Sequence, residues 1–232
     1  MKTKTCLVMG ASGCIGTAVS SKFSENGYEV WHSSRTDSSS GSQNIQLIGD
    51  LGKDQDQIKQ APIFDAIVWA QGVNTNDSIN DFNNENFHEM VDANVGFILS
   101  TLSILLAEKK IAEGARLCIV SSIWQDAIRP NKLSYSITKS ALSGLVQSTA
   151  IDLAPSGILV NAVLPGVLDT PMTRSVLTSD QIYSVANRTG FNRLVTCHEI
   201  ATLCYFLCSE ANTMISGQSL VADLGFSNVR PI

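Results

Sequence analysis

The chain has 232 residues, 44% of them hydrophobic and 16% charged, with a net charge of −5. That length buries a substantial core in one domain or two small ones, and the apolar content excludes a disordered chain. The acidic balance argues against nucleic-acid binding, and no apolar run approaches the ~18 residues of a membrane span.

The start, Met1-Lys2-Thr3-Lys4, is basic, but the apolar stretch 6–9 is too short for a signal segment and runs into Gly10. The six cysteines are therefore expected as reduced thiols in a cytoplasmic protein. Residues 5–9 read as a first strand, followed by Gly10-Ala11-Ser12-Gly13-Cys14-Ile15-Gly16 and a helix over 15–26. Glycines in a strand-to-helix turn serve either a tight bend or the close approach of a pyrophosphate to a helix N-terminus. The position in the first βα unit favours the phosphate reading.

A second strand over 29–32 ends in Ser33-Ser34-Arg35. A carboxylate there would bind the ribose 2′-hydroxyl of NAD; the chain has none, and Arg35, with hydroxyls at Ser33, Ser34 and Thr36, suits a 2′-phosphate. NADP(H) is expected over NAD(H). Residues 33–43 read as a surface loop, then a strand over 45–48 leads to Asp50-Leu51 and a helix over 54–60. Asp50 suits two roles equally, adenine recognition or capping of that helix. A strand over 66–70 precedes a long helix over 85–108, in which Asn94 lies among Val91, Val95, Phe97 and Ile98. Mid-helix asparagines are usually exposed; buried, this one needs a partner.

A strand over 116–121 ends in Ser121-Ser122, where ligands bind in open parallel sheets. Trp124, Gln125 and Arg129 border the same end, and Trp124 suits packing as well as a substrate wall. A helix over 134–153 opens with Tyr135 and Lys139 on one face. A neighbouring ammonium lowers a phenol pKa toward the value a proton-transfer catalyst needs. The pair is weak alone and gains force from the serines. A strand over 159–164 comes next, then 168–192, expected as one or two short helices forming a lid. A helix over 198–209 and a strand over 218–222 complete the pattern. Seven apolar strands alternating with helices predict one α/β domain over 1–232, a doubly wound parallel seven-stranded sheet with helices on both faces.

Cys197, His198, Cys204 and Cys208 lack the two-residue gaps of metal sites, so core thiols are the better reading and no metal is expected. Cys14, at a helix start, is the exception: a thiol there has a lowered pKa, and its oxidation would obstruct phosphate binding.

These spaced features together resemble the short-chain dehydrogenase/reductase family over nearly the whole chain, and are closest to its 3-oxoacyl-[acyl-carrier-protein] reductase-like members. The family places its Ser thirteen residues before its Tyr and its Lys four after, which picks Ser122 over Ser121 and matches Lys139. Its upstream Asn matches Asn94. The resemblance implies catalysis by Asn94, Ser122, Tyr135 and Lys139, with Asn94 holding a water in a relay to Lys139. It also implies cofactor contacts from Ala70, Gln71 and Gly72 after the fourth strand, from Pro165, Gly166, Val167 and Thr170 after the sixth, and from Tyr135 and Lys139. Ser122, Trp124 and Tyr135 would face the substrate. Departures are Met9 and Cys14 in the phosphate turn and Trp69-Ala70-Gln71, where the sheet-supporting asparagine is missing. The implied activity is hydride transfer between nicotinamide and a ketone or secondary alcohol, in a homotetramer or homodimer binding neither nucleic acid nor membrane. A non-catalytic dinucleotide-binding regulatory or scaffold protein of the same fold is the alternative.

Overall fold

The computed structural model describes residues 3–34, 44–47, 51–170, 173–174 and 177–228; for Ser34 and Leu51 it describes the backbone only. Among the described residues, seven strands form one sheet: β1 (Thr5–Met9), β2 (Glu29–Ser34), β3 (Asn44–Gln46), β4 (Phe64–Trp69), β5 (Ile111–Val120), β6 (Leu159–Pro165) and β7 (Ser219–Ala222). They lie in the order β3-β2-β1-β4-β5-β6-β7, and every pairing is parallel. All seven expected strands are present, the fifth beginning five residues earlier than expected. Strands buried on both faces read as continuous apolar runs, and β1 is buried at every position.

Helices α1 (Cys14–Glu25), α2 (Leu51–Gln60), α3 (Asn84–Val91), α4 (Phe97–Ala107), α5 (Leu133–Leu153), α6 (Ser179–Asn187) and α7 (Cys197–Cys208) connect the strands. One face of the sheet is covered by α2, α4 and α5, through Ile58, Ile98, Leu102, Leu105, Leu142 and Val146. The other is covered by α1 and α7, through Val19, Phe23, Ile200, Cys204 and Leu207. Each helix thus buries one stripe, as amphipathic spacing requires. Met9 faces the first of these cores with no exposure, so the departure at that position is a packing choice.

The helix expected over 85–108 is interrupted. A wide, π-helical turn (Asp92–Gly96) separates α3 from α4 and carries Asn94. Such a turn adds a residue to the helix and rotates the next stretch about the axis. With this turn counted, Asn84–Ala107 is long and apolar enough to cross a membrane, which corrects the expectation that no segment is. Its apolar residues Ile98, Leu102 and Leu105 pack against the sheet.

Within the described part of 168–192, α6 is the one full helix. It is opened by a reciprocal cap in which Thr178 accepts from Gln181 N–H and the Gln181 side chain accepts from Thr178 N–H. A parallel bridge between Leu168 and Val195 closes the base of this segment.

Strand order reverses between β1 and β4, the point where doubly wound sheets bind ligands at the carboxyl ends of their strands. The first turn of the chain and the turn after β4 meet there. A Cβ on Gly10, which has φ of +73°, would lie 2.7 Å from Gln71 N.

Candidate active site

A cleft of about 1030 Å³ opens at this reversal point, walled by Gly10, Ser12, Gly13, Ser33, Ala70, Gln71 and Gly72 together with the α3–α4 face. Six of the residues expected around the phosphates and ribose, Gly10, Ser12, Gly13, Ala70, Gln71 and Gly72, thus line this cleft, while Cys14, Ile15 and Gly16 follow in the same turn without lining it. Gly13 caps α1 without any side-chain hydrogen bond, and the first turn of α1 holds no acid. The N–H groups of Cys14, Ile15 and Gly16 open the helix, where N–H groups have no partner within it. Gly16 is fixed by sterics: a Cβ there would stand 2.1 Å from Gly10 O.

Three observations show that these residues fit a dinucleotide. Uncapped helix donors open at the cleft, glycines bring backbone to its wall, and the buried Gln71 carboxamide has no hydrogen-bond partner on either Nε2 or Oε1. A buried amide without partners is costly, and a ligand in the cleft would supply them. Arg35 and Asp50, and the side chains of Ser34 and Leu51, lie outside the described residues. Pro165, Gly166, Val167 and Thr170 do not line this cleft. They follow β6, where Gly166 packs on Asp223, at 2.7 Å from a would-be Cβ, and the Thr170 hydroxyl accepts from Thr173 N–H at 3.1 Å.

The expectation of six free thiols is corrected at the phosphate turn. Cys14 and Cys197 form a disulfide, with Cα atoms 6.3 Å apart across 183 residues of sequence. Each is the first residue of its helix, and α1 and α7 pack side by side on the sheet. Nothing local in the sequence announces that pairing. Cys14 is therefore not a low-pKa thiol in this structure, and its sulfur is bonded to Cys197. Cys6, Cys118, Cys204 and Cys208 are free and buried in the core, as expected for small apolar side chains; burial pushes the Cys6 thiol well up.

Beyond Gly72 lies the second group of candidates. Ser121 and Ser122 follow β5, and the structure separates their roles. The Ser121 hydroxyl donates to Gln125 Oε1 at 2.9 Å, whereas the Ser122 hydroxyl faces the Tyr135 phenol closely enough to favour its ionised form. Lys139, one turn along α5, has its Nζ 5.6 Å from the Tyr135 ring centre and donates to Val120 O at 3.3 Å. Helix α5 is fastened at its start from outside. Asp77 accepts from Ser134 N–H at 3.0 Å and from the Ser134 hydroxyl, and Lys132 Nζ donates to Asn74 Oδ1 at 2.5 Å. The sequence reading missed Asp77 and Lys132, because their partners are more than fifty residues away; it placed Gln125 at this end without its hydrogen bond to Ser121, which depends on the turn after Ser122.

Asn94 is 1% exposed and fully partnered. Its Oδ1 accepts from Val73 N–H at 2.8 Å, and its Nδ2 donates to Val73 O and to Thr138 Oγ1, each at 3.0 Å. It therefore ties the β4 exit to α5. A Cβ on Gly72 would stand 3.1 Å from Asn94 Oδ1 and 3.5 Å from Lys139 Nζ, so a glycine there leaves the space between them open. The support lost with the missing asparagine comes from this tie and from Trp69, whose indole N–H donates to Thr101 Oγ1 at 3.0 Å.

Electrostatics correct one expectation. Tyr135 is not lowered toward neutrality: burial pushes its phenol up, the Ser122 hydrogen bond opposes that, and Lys139 is not among the influences. Burial instead pulls Lys139 down to about 8. Desolvation outweighs attraction here because the ammonium is itself out of water. At neutral pH the pair is a phenol beside an ammonium, poised to give a proton.

A parallel doubly wound sheet, a dinucleotide-shaped cleft and a hydroxyl–phenol–ammonium cluster at the ends of β5 and α5 define a nicotinamide-dependent oxidoreductase class. The model of the family described as enoyl-(acyl carrier protein) reductase matches residues 55–227. An uncharacterized oxidoreductase, YmfI of Bacillus subtilis, is 30% identical over 96% of this chain and 98% of its own. Glucose 1-dehydrogenase of Gluconobacter oxydans is 29% identical over 97% of this chain and 92% of its own. A gluconate 5-dehydrogenase from Burkholderia cenocepacia, solved with NADP and tartrate, superposes with a TM-score of 0.90 at 18% identity, covering 99% of this chain and 97% of that one. The chain belongs to the short-chain dehydrogenase/reductase family, and it is a dehydrogenase or reductase by family.

Proposed function

We propose that this chain is an NADP(H)-dependent oxidoreductase that moves a hydride between nicotinamide and a ketone or secondary alcohol, using Ser122, Tyr135 and Lys139 with support from Asn94. The observation that carries the reading is that Lys139, 5.6 Å from the Tyr135 ring centre, stands 3.5 Å from a would-be Cβ on Gly72, and Gly72 lines the same cleft as Gly10, Ser12 and Gly13. The cofactor, when bound, supplies the hydride acceptor or donor at its nicotinamide ring. The N–H groups of Cys14, Ile15 and Gly16 would meet the pyrophosphate, and Gln71 would pair with the ribose–phosphate portion. NADP(H) rests on the absence of a carboxylate at the end of β2, where the buried Ser33 lines the cleft, and on Arg35 just beyond.

In the reductive direction, Ser122 Oγ–H and the Tyr135 phenol bind the carbonyl oxygen. Tyr135 donates its proton as charge grows on that oxygen, and the Lys139 ammonium stabilises the phenolate left behind. Positioned donors of this kind contribute about 10²–10⁴-fold. Asn94 Oδ1 faces the gap at Gly72, where a water would connect Lys139 to solvent. The sugar oxidation that one relative's name states falls within this reaction type, whereas the enoyl reduction that the family model's description names acts on a C=C bond and lies outside it. The reading takes 1–232 as one dinucleotide-binding domain with a lid over 168–192. The exposed Leu99 and Leu106 on α4 and Ile137 and Ile151 on α5 support assembly into dimers or tetramers through those helices.

The test is Tyr135→Phe. NADPH titration should be unchanged, while NADPH oxidation across a panel of ketones should fall by at least about 10³-fold. Wild-type protein that binds NADPH and turns over no carbonyl would favour the scaffold alternative.

A further inference from the structure

Next to Ser122, four side chains from three separate stretches form a row that runs Arg129, Trp124, Phe226, Arg188. Trp124 donates its backbone N–H to Ser122 Oγ at 3.3 Å, so its position is tied to the reacting end of the cleft. Phe226 meets the Trp124 ring edge-on, centres 6.4 Å apart at 87°. The Arg129 guanidinium lies 5.2 Å from the Trp124 ring centre, and that of Arg188, at the end of α6, 4.7 Å from the centre of Phe226. Phe226 owes its place to a built turn. Leu224 sits at a φ of +56°, unusual for a branched residue, and Asp223 holds the turn by accepting from Gly225 N–H at 2.9 Å and Ser227 N–H at 2.8 Å.

Neither arginine has a carboxylate partner among the described residues, where Lys4, Lys59, Arg174 and Arg193 make the ion pairs. The acids around them are engaged elsewhere. Asp223 holds its own turn, Asp169 pairs with Arg174, Asp77 caps α5, and Asp126 accepts from Gln125 Nε2 at 3.4 Å. Lys132 adds a third cation, 5.5 Å from the Tyr135 ring centre and close enough to Arg129 to feel its charge. In a chain of net charge −5, three cations stacked on neighbouring aromatic rings run against the average. Aromatic faces hold a guanidinium by its plane and leave its N–H fork free. That fork matches the paired oxygens of a carboxylate or phosphate.

We propose that Arg129 and Arg188, held on Trp124 and Phe226, select carbonyl substrates that carry an anionic oxyacid group, a carboxylate or a phosphate, beside the reacting carbonyl. The inference rests on the reading of Ser122, Tyr135 and Lys139 as a hydride-transfer site and adds to it the class of substrate. In the productive complex the anion sits in the arginine forks while its carbonyl oxygen reaches Ser122 and Tyr135. A neutral ketone of the same shape leaves both guanidinium groups unanswered.

The test pairs each anion with its neutral counterpart: acetoacetate against methyl acetoacetate, and dihydroxyacetone phosphate against dihydroxyacetone, with NADPH oxidation followed at fixed ionic strength. The expected result is a kcat/KM preference of about 10- to 100-fold for the anion of at least one pair, the range of one or two charge-assisted hydrogen bonds. The pair that shows it tells carboxylate from phosphate. That preference should shrink with added salt and collapse to within about threefold in Arg129→Gln/Arg188→Gln, mostly through KM. Arg174→Gln, whose guanidinium already has a carboxylate, should keep it. Equal or better use of the neutral partners, or a preference that survives the double substitution, overturns the proposal and leaves hydride transfer standing. If no substrate is reduced, calorimetric titration of acetoacetate and dihydroxyacetone phosphate into NADP⁺-loaded protein decides separately. Binding of either anion that is lost in the double variant supports the arginine frame while the catalytic reading falls; no binding of either sinks the frame.

Discussion

At the phosphate turn the chain offers backbone: uncapped N–H groups, and glycines whose missing Cβ atoms make room. At the Ser122 end it offers three side-chain atoms in a fixed relation, a hydroxyl, a phenol and an ammonium. The first region therefore tolerates changes of side chain that the second does not. Met9 and Cys14 depart from the family pattern at the turn, yet one is core and the other directs its sulfur to Cys197 instead of into the cleft. Substitution at the turn is harmful only where it adds atoms, and at the other end wherever it removes one.

That contrast is open to direct attack. After Tyr135→Phe, the largest effect is expected from Ser122→Ala, a loss of about 10²–10³-fold in kcat with cofactor affinity unchanged, read by steady-state kinetics beside NADPH titration. Gly16→Val inverts the pattern. Its Cβ would stand 2.1 Å from Gly10 O, so NADPH affinity and melting temperature should both fall, by at least about tenfold in Kd. Gln71→Ala keeps the Cβ that packs on Gly10 and removes an unpartnered amide. NADPH Kd should rise about tenfold while the melting temperature of the free protein holds or increases, two signs that a merely structural glutamine would not give.

The pH dependence sharpens the same comparison. Lys139 is charged below about pH 8 and neutral above it, so reductive kcat should fall as pH rises through that value. The unfolded chain holds this proton to higher pH, so the free protein should gain stability from about pH 8 upward. Lys139→Met should flatten that gain and raise the melting temperature at neutral pH. A stability profile of wild type that falls over the same range would contradict the burial of this ammonium. The smallest effect is expected from Cys14→Ser: a change in NADPH Kd of under about threefold, because the turn meets the cleft through its backbone.

Periodicity and turn chemistry placed the strands, their parallel order and the two cores, since β1, β4 and the exposed loop ends announce themselves by apolar runs and glycines. Ser122, Tyr135 and Lys139 were legible because helix spacing puts two of them on one face and the family pattern supplies the third. What escaped the sequence was long-range or irregular. The wide turn at Asp92–Gly96 looks like ordinary helix, and only its geometry shows how Asn94 reaches both Val73 and Thr138. Asp77 capping α5, and Arg188 lying on Phe226, join segments with no local signal. The lowered Tyr135 expected from a nearby lysine failed because neighbourhood in sequence says nothing about water, and burial decides both groups.

The bond between Cys14 and Cys197 ties the opening helix of the fold to its closing one, 183 residues later, so that β2 through β6 lie inside one covalent ring. A protease cutting anywhere in that ring, the α6 region included, opens the ring without parting the molecule. A nicked chain would migrate as one species until a reductant is added and as two fragments afterwards.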